Sequence, residues 1–184
     1  EFIEVLKTLH KLGLDRTDGT RIWSTFVRRN SFSYESFYAS VSTDGKRLYT
    51  IARSGKIIAL SVDDGRILWT RTVTGWGYST PSVGHDRIFV GGFDGALHAF
   101  DKVTGDEIWQ AQVGGRILGG SVIVGSLVFF STLEQKTYAA RVSDGKVVWS
   151  FPIGKYSPGI ATERAYYFTL NGIIVAFRGV RSPP

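Results

Sequence analysis

Four segments ending in tryptophan recur along the chain: GLDRTDGTRIW (13–23), ALSVDDGRILW (59–69), AFDKVTGDEIW (99–109) and AARVSDGKVVW (139–149), with the tryptophans 46, 40 and 40 residues apart. A repeat of this period constrains the fold more than any local propensity does. A unit of that length cannot bury an apolar face alone and becomes stable only by stacking on its neighbours. The repeat motif is therefore either a binding motif or a joint between units, and its residue types favour the joint. A tryptophan can remove up to about 250 Å² of surface from water while its N–H still needs an acceptor.

Within a unit the pattern is that of short strands separated by turns. Residues 81–110 read as strand (Ser82, Val83), turn (Gly84–Asp86), strand (Arg87–Val90), turn (Asp94, Gly95), strand (Ala96–Phe100), turn (Val103–Gly105) and strand (Asp106–Gln110). Asp94-Gly95 predicts a two-residue hairpin with both central residues at positive φ. Ser54-Gly55 and Asn171-Gly172 stand at the same place in other units, and Asp44-Gly45 makes a turn of the first type. Four antiparallel strands in about 40 residues make one propeller blade. The fold class expected is all-β: a β-propeller of four-stranded antiparallel blades, about four to five in this chain. The expected domain is single, over 1–184, with repeats near 1–26, 35–70, 78–110, 118–150 and 156–179. The one stretch that reads as helix is EFIEVLKTLH, residues 1–10.

The pattern Ala-x-Asp-x-x-x-Gly-x-x-x-Trp resembles the tryptophan-docking motif of the PQQ-like, or quinoprotein-type, β-propeller repeat family. It is most complete at Ala99, Asp101, Thr104, Gly105 and Trp109; Ser61 and Arg141 replace the aspartate in two other copies, and Gly13 replaces the first alanine. The resemblance covers nearly the whole chain from residue 13 onward. It implies that Trp23, Trp69, Trp109 and Trp149 lie between adjacent blades. It also implies that Gly19, Gly65, Gly105 and Gly145 supply the tight turn before each outer strand.

At about 40 residues per blade, 184 residues hold more than four blades and fewer than five. The last unit supplies three strands and loses the Gly-x-x-x-Trp strand; the first supplies chiefly its last strand, Arg21 to Phe26. One solution lets that strand complete the final blade and close a four-bladed ring. The other is a partial ring, continued by a longer chain or by self-association with a second copy. The apolar residues before Leu14 read as remnants of an earlier strand and favour the partial ring.

Chemistry-bearing motifs are sparse. The histidines are His10, His85 and His98, none in a metal-ligand or nucleophile–base arrangement; His85 falls in a turn and His98 reads as a packing or surface residue. There is no P-loop and no nucleophile elbow. The aspartates sit in turns, where they bond their own backbone. No catalytic or metal site is expected. The resemblance offers one alternative, a partial or degenerate quinoprotein oxidoreductase with PQQ and calcium at the propeller axis. The chain has no cysteine for the vicinal disulfide of many such enzymes and no oxygen cluster for a calcium cage, so the favoured reading carries no cofactor. No apolar run approaches the roughly 20 residues of a membrane-spanning helix. The chain opens on Glu1 without a charged and apolar leader, so any signal peptide is expected to have been removed or left out.

What remains is a recognition surface. In a propeller the connections between blades share a face with the hairpin loops of the middle strands. Here that face would carry Arg28, Arg29, Arg53, Lys56, Arg116, Lys136 and Lys155 against Glu35, Asp94 and Glu134, within a chain of formal net charge +6. The binding residues expected there are Trp76, Tyr78, Arg116, Lys155 and Tyr156. A basic face with exposed aromatics suits a protein or an anionic ligand by steering and stacking. Nucleic acid is disfavoured, because the basic residues are dispersed and form no stripe. The resemblance implies a noncatalytic binding or scaffold module in an extracytoplasmic setting, whether periplasmic, secreted or membrane-anchored.

Overall fold

The computed structural model describes residues 10–14, 17–154, 159–162, 165–170 and 173–177, and among these there is no helix. The strands β1 (His10–Leu14) and β2 (Arg21–Phe26) form a two-stranded sheet, followed by a small hairpin of β3 (Arg28–Asn30) and β4 (Ser33–Tyr34). Three four-stranded antiparallel sheets come next. The first holds β5 (Ser42–Thr43), β6 (Arg47–Ile51), β7 (Lys56–Ser61) and β8 (Ile67–Thr72); the second β9 (Ser82–Val83), β10 (Arg87–Gly91), β11 (Ala96–Asp101) and β12 (Glu107–Gln112). The third is β13 (Val122–Val124), β14 (Leu127–Ser131), β15 (Thr137–Arg141) and β16 (Val147–Phe151), and a three-stranded sheet of β17 (Ile160–Ala161), β18 (Tyr166–Leu170) and β19 (Ile173–Phe177) ends the described chain. Each sheet is a simple meander. This is a partial β-propeller.

The motif spacing has a direct reading in the register. Gly13, Ala59, Ala99 and Ala139 lie opposite Trp23, Trp69, Trp109 and Trp149, and in every case the pairing slips by one residue immediately afterwards. A small residue opposite the indole leaves room for it, and the bulge bends the outer strand. The intervening turn closes through the backbone: the amides of Gly65, Gly105 and Gly145 donate to the carbonyls of Ser61, Asp101 and Arg141. Asp101 adds two more, its Oδ1 accepting from the amides of Val103 and Thr104 at 2.7 and 2.8 Å. The turn survives Ser61 and Arg141 because the main chain makes the closing bond.

Three of the motif tryptophans donate into the next unit. Trp23 Nε1 donates to the Val62 carbonyl at 2.8 Å, Trp69 Nε1 to Lys102 at 3.3 Å and Trp109 Nε1 to Val142 at 3.0 Å. The rings lie over the motif glycines. A Cβ on Gly65, Gly105 or Gly145 would come within 2.4, 2.6 or 2.5 Å of the preceding unit's indole. Those glycines are also at φ +70, +76 and +73°, so each combines a left-handed backbone with a ring at van der Waals contact. Gly19 has the same conformation, φ +74°, with nothing within 4 Å of its Cβ position.

The core lies between the sheets. Trp69, Tyr49, Ile57 and Val73 pack with Ile88, Val90 and Phe100 across one boundary. Phe89, Leu97 and Ala111 pack with Val128, Phe130 and Ala140 across the next. Polar clamps reinforce them. The Lys102 carbonyl that accepts Trp69 also accepts the Tyr49 hydroxyl at 3.0 Å, and the Val142 carbonyl that accepts Trp109 also accepts Arg87 Nη1 at 2.9 Å. Asp44 anchors the first clamp. Burial works against its charge, but the amides of Lys46 and Arg47, the Tyr49 hydroxyl and the Arg47 guanidinium outweigh it and hold its pKa at about 2. Because the folded value lies below the unfolded 3.8, the stabilisation is complete above pH 3.8 and is lost as pH falls toward 2. Thermal unfolding followed between pH 6 and pH 2 should show Asp44→Asn as less stable at the upper end, with the gap closing between about pH 4 and pH 2. A gap independent of pH would remove Asp44 from this role.

Of the two closure schemes the structure agrees with the favoured partial ring, and two further expectations are corrected. Arg21–Phe26 does not complete the final blade: β2 pairs with β1, and among the described residues β19 pairs with β18 alone. The reason is that β1 is itself a third strand, in the register that β7 has to β8, so the first and last pieces duplicate a strand and do not complement each other. The Asp94-Gly95 turn is a three-residue loop, Phe93 to Gly95, closed by the Gly92 amide on the Ala96 carbonyl at 2.8 Å, with positive φ at Gly95 alone. That geometry follows the strand twist with a single left-handed residue. Gln135, at φ 62°, occupies the equivalent position in the third four-stranded sheet. Finally, His10 is in β1 and not in a helix, while residues 1–9, like Asn171-Gly172, lie outside the described residues.

Candidate recognition face

The linkers between sheets and the loops of the middle hairpins are stitched to one another on one face. The Arg53 amide donates to the Ser36 carbonyl at 2.7 Å and the Gly77 amide to Arg53 at 3.1 Å; further along the repeat, the Ile117 amide reaches the Gly92 carbonyl and the Leu133 amide reaches the Arg116 carbonyl. These bonds hold side chains that the sequence scatters.

Over them runs a line of aromatic rings. Tyr38 stacks on Tyr78 with centroids 5.5 Å apart, Tyr78 meets Trp76 edge-on at 6.4 Å, and Trp76 lies 5.5 Å from Phe93. Two guanidinium groups sit on this line, Arg53 at 5.1 Å from the Trp76 ring and Arg116 at 5.4 Å from that of Phe93. Tyr38 and Trp76 are 62% and 51% exposed. Large aromatics with one face on an arginine and the rest toward solvent are the residue types that anchor protein contacts.

The expected residues fare differently. Trp76 and Tyr78 are in the line, and Arg116 reaches it through Phe93. Arg116 is not a free cation, however: its Nε bonds Glu134 Oε1 at 2.9 Å. Burial disfavours the Glu134 charge, but that bond outweighs it and holds the carboxyl below its usual range. Lys155 and Tyr156 lie outside the described residues. Arg29 and Arg53 have no carboxylate within 4 Å among the described residues, and with Glu35, Ser36, Ser54 and Trp76 they line a cleft. Glu35, 1% exposed, forms its floor, accepting from Ser54 Oγ at 2.8 Å and facing Lys56 Nζ at 3.2 Å. Tyr38 and Phe93 were not singled out from sequence. The one signal that could have found the cleft is the 46-residue spacing between the first two tryptophans, six more than the others.

His98 supports the face from below. It is buried, with Nδ1 2.7 Å from Glu107 Oε1 and Nε2 3.1 Å from Asp94 Oδ2. It thereby ties the loop that carries Phe93 to the outer strand. Among the described residues no three His, Asp or Glu side chains converge as a metal's ligands would.

Residues 12–178 match the model of a PQQ-type repeat family described as outer membrane protein assembly factor BamB. The chain belongs to this family. It is 38% identical over 104 residues to the outer membrane protein assembly factor BamB of Marinobacter adhaerens, covering 55% of this chain and 25% of that protein. The crystal structure of BamB from Moraxella catarrhalis superposes with a TM-score of 0.78 at 20% identity, covering 93% of this chain and 55% of that one. A europium-containing methanol dehydrogenase superposes with a TM-score of 0.72 at 15% identity, over 92% of this chain and 46% of that one. At those identities the two structures speak for the fold alone. The chain spans less than half the length of the curated relatives it matches. Membership of the BamB family gives it an extracytoplasmic location, as the resemblance implied.

Proposed function

We propose that this segment is a noncatalytic scaffold module of outer-membrane protein assembly, holding a protein partner on its linker face. The observation that carries this reading is the Tyr38–Tyr78–Trp76–Phe93 line with Arg53 and Arg116 upon it, exposed yet locked by backbone bonds between loops. A pre-ordered surface loses little entropy on binding. The names of the family and of its curated relatives supply the assembly context; the quinone-oxidoreductase alternative rests on fold-level likeness.

The test is binding to the detergent-solubilised outer-membrane assembly complex of the source bacterium, measured by interferometry at low and high salt. Trp76→Ala and Arg53→Glu should each weaken binding about tenfold or more, and Arg53→Glu should also flatten the salt dependence. Wild-type affinity in both variants, with folding confirmed by thermal unfolding, would overturn the assignment of this face.

A further inference from the structure

The six extra residues between Trp23 and Trp69 fall in the first linker, residues 27–41, where the later linkers span 73–81 and 113–121. They build the β3–β4 hairpin. The hairpin is firmly mounted: the Glu35 amide donates to Val27 at 2.9 Å, and Lys56 Nζ donates to the Arg28 carbonyl at 2.8 Å. At its tip Asn30 Oδ1 accepts from the Phe32 amide at 2.9 Å and the Ser33 hydroxyl at 2.8 Å. The linkers at 73–81 and 113–121 carry no such insert, so among the described residues this step of the repeated face alone acquires a second wall.

We propose that this insert converts the Arg53–Trp76 step into a pocket for the carboxylate of an acidic peptide segment, a proposal that rests on the reading of the face as a protein-binding surface. Arg29, on β3 of the hairpin, and Arg53, in the loop between β6 and β7, line this cleft together with Ser36 and Ser54. Six other arginines, Arg47, Arg66, Arg71, Arg87, Arg116 and Arg141, each have a carboxylate within 4 Å, and Arg21 and Arg28, which like the cleft pair have none among the described residues, do not line the cleft. Arg29 and Arg53 have none among the described residues, and the cleft's own acid, Glu35, is already engaged by Ser54 and Lys56. Arg53 Cζ lies 5.1 Å from the centroid of the Trp76 ring, and the N–H edge of its guanidinium has no carboxylate partner among the described residues. That edge is the part that grips a carboxylate in a two-pronged hydrogen bond. The Glu35 carboxylate beneath favours a single negative charge over a more highly charged anion. Beside the acid, the partner would meet Phe32, 99% exposed at the hairpin tip, and the half-exposed Trp76. An acidic residue with apolar neighbours therefore fits the pocket better than a polyanion does.

The probe is a fluorescein-labelled peptide of alternating glutamate and leucine, with the glutamine–leucine peptide as its control, followed by polarisation against the full 184-residue chain. The glutamate peptide should bind, and the glutamine peptide should bind about tenfold more weakly, as should the glutamate peptide to Arg29→Ala or Arg53→Ala. Arg53→Lys keeps the charge without the fork and should recover part of the loss, which guards against a merely misfolded alanine variant. Arg71→Ala, whose guanidinium pairs with Asp106, should bind like wild type. Equal binding of the two peptides, or wild-type affinity in both alanine variants, would overturn the pocket. So would binding to phosphatidylglycerol vesicles or inorganic phosphate through Arg29 and Arg53 in the absence of peptide binding, which would reassign the site to phosphate groups. If the peptide result fails while Trp76→Ala still abolishes assembly-complex binding, the pocket falls and the face stands. If the peptide binds as expected but the complex ignores every face variant, the face reading falls alone.

Discussion

Gly105→Ala is expected to destabilise the fold by about 3 kcal/mol, and Gly19→Ala by about 1 kcal/mol. Both glycines have nearly the same left-handed backbone, φ +76 and +74°, so an added methyl group costs about 1 kcal/mol of conformational strain at either. At Gly105 the methyl would also lie 2.6 Å from the Trp69 ring, which would have to move out of a close-packed boundary, whereas at Gly19 it meets open space. Forced repacking of that kind adds about 1–3 kcal/mol. Urea unfolding of the two variants isolates the docking contribution from the turn contribution. Equal losses near 1 kcal/mol would mean that the indole yields easily and the motif glycine serves the turn alone. Equal losses near 3 kcal/mol would mean that the space over Gly19 is filled in solution, as self-association would do.

The second large effect separates two tryptophans that composition treats alike. Trp69→Ala should cost about 3–5 kcal/mol, the range for removing a buried aromatic side chain and leaving a cavity. Trp69 is 7% exposed and packs against Tyr49 at 6.1 Å. The cost is one of packing, because the Lys102 carbonyl keeps the Tyr49 hydroxyl when the indole N–H is lost. Trp76→Ala removes a half-exposed ring from the face and should change stability by about 0.5 kcal/mol or less. Under the proposed function its effect belongs to binding. A calorimetric comparison in which Trp76→Ala destabilised as much as Trp69→Ala would place Trp76 in the scaffold and leave the recognition face without its centre.

The proposed recognition face was legible only in part. Trp76 and Tyr78 stood out as aromatics in a turn-rich linker, and the linkers and middle-hairpin loops share a face because a meandering blade must place them so. Arg116 was also legible as a basic loop residue, but its bond to Glu134 spans 18 residues of sequence. The Arg29–Arg53 cleft required the extra residues of the first linker to fold back as a hairpin, and nothing in RRNSFSY announces that Lys56 will hold its base. The two-residue turn expected at Asp94-Gly95 failed for a related reason. The dipeptide specifies a left-handed residue, but the length of the loop is set by how β10 and β11 pair, with Gly91 opposite Leu97.

From the sequence alone came the repeat, the four-stranded unit, the tryptophan joint and the family. Each rests on spacing and residue type within some 40 neighbouring positions, and strand periodicity and turn chemistry act over that range. The tertiary structure decided which terminal strands pair, which arginines already have an acid and which do not, and which tryptophan is core and which is surface. Those outcomes depend on contacts between residues roughly 20 to 50 positions apart, such as Lys56 with Glu35, Arg71 with Asp106 and Tyr49 with Lys102. Charge pairing acts through space at a few ångströms, and proximity of that kind is created only when the blades stack.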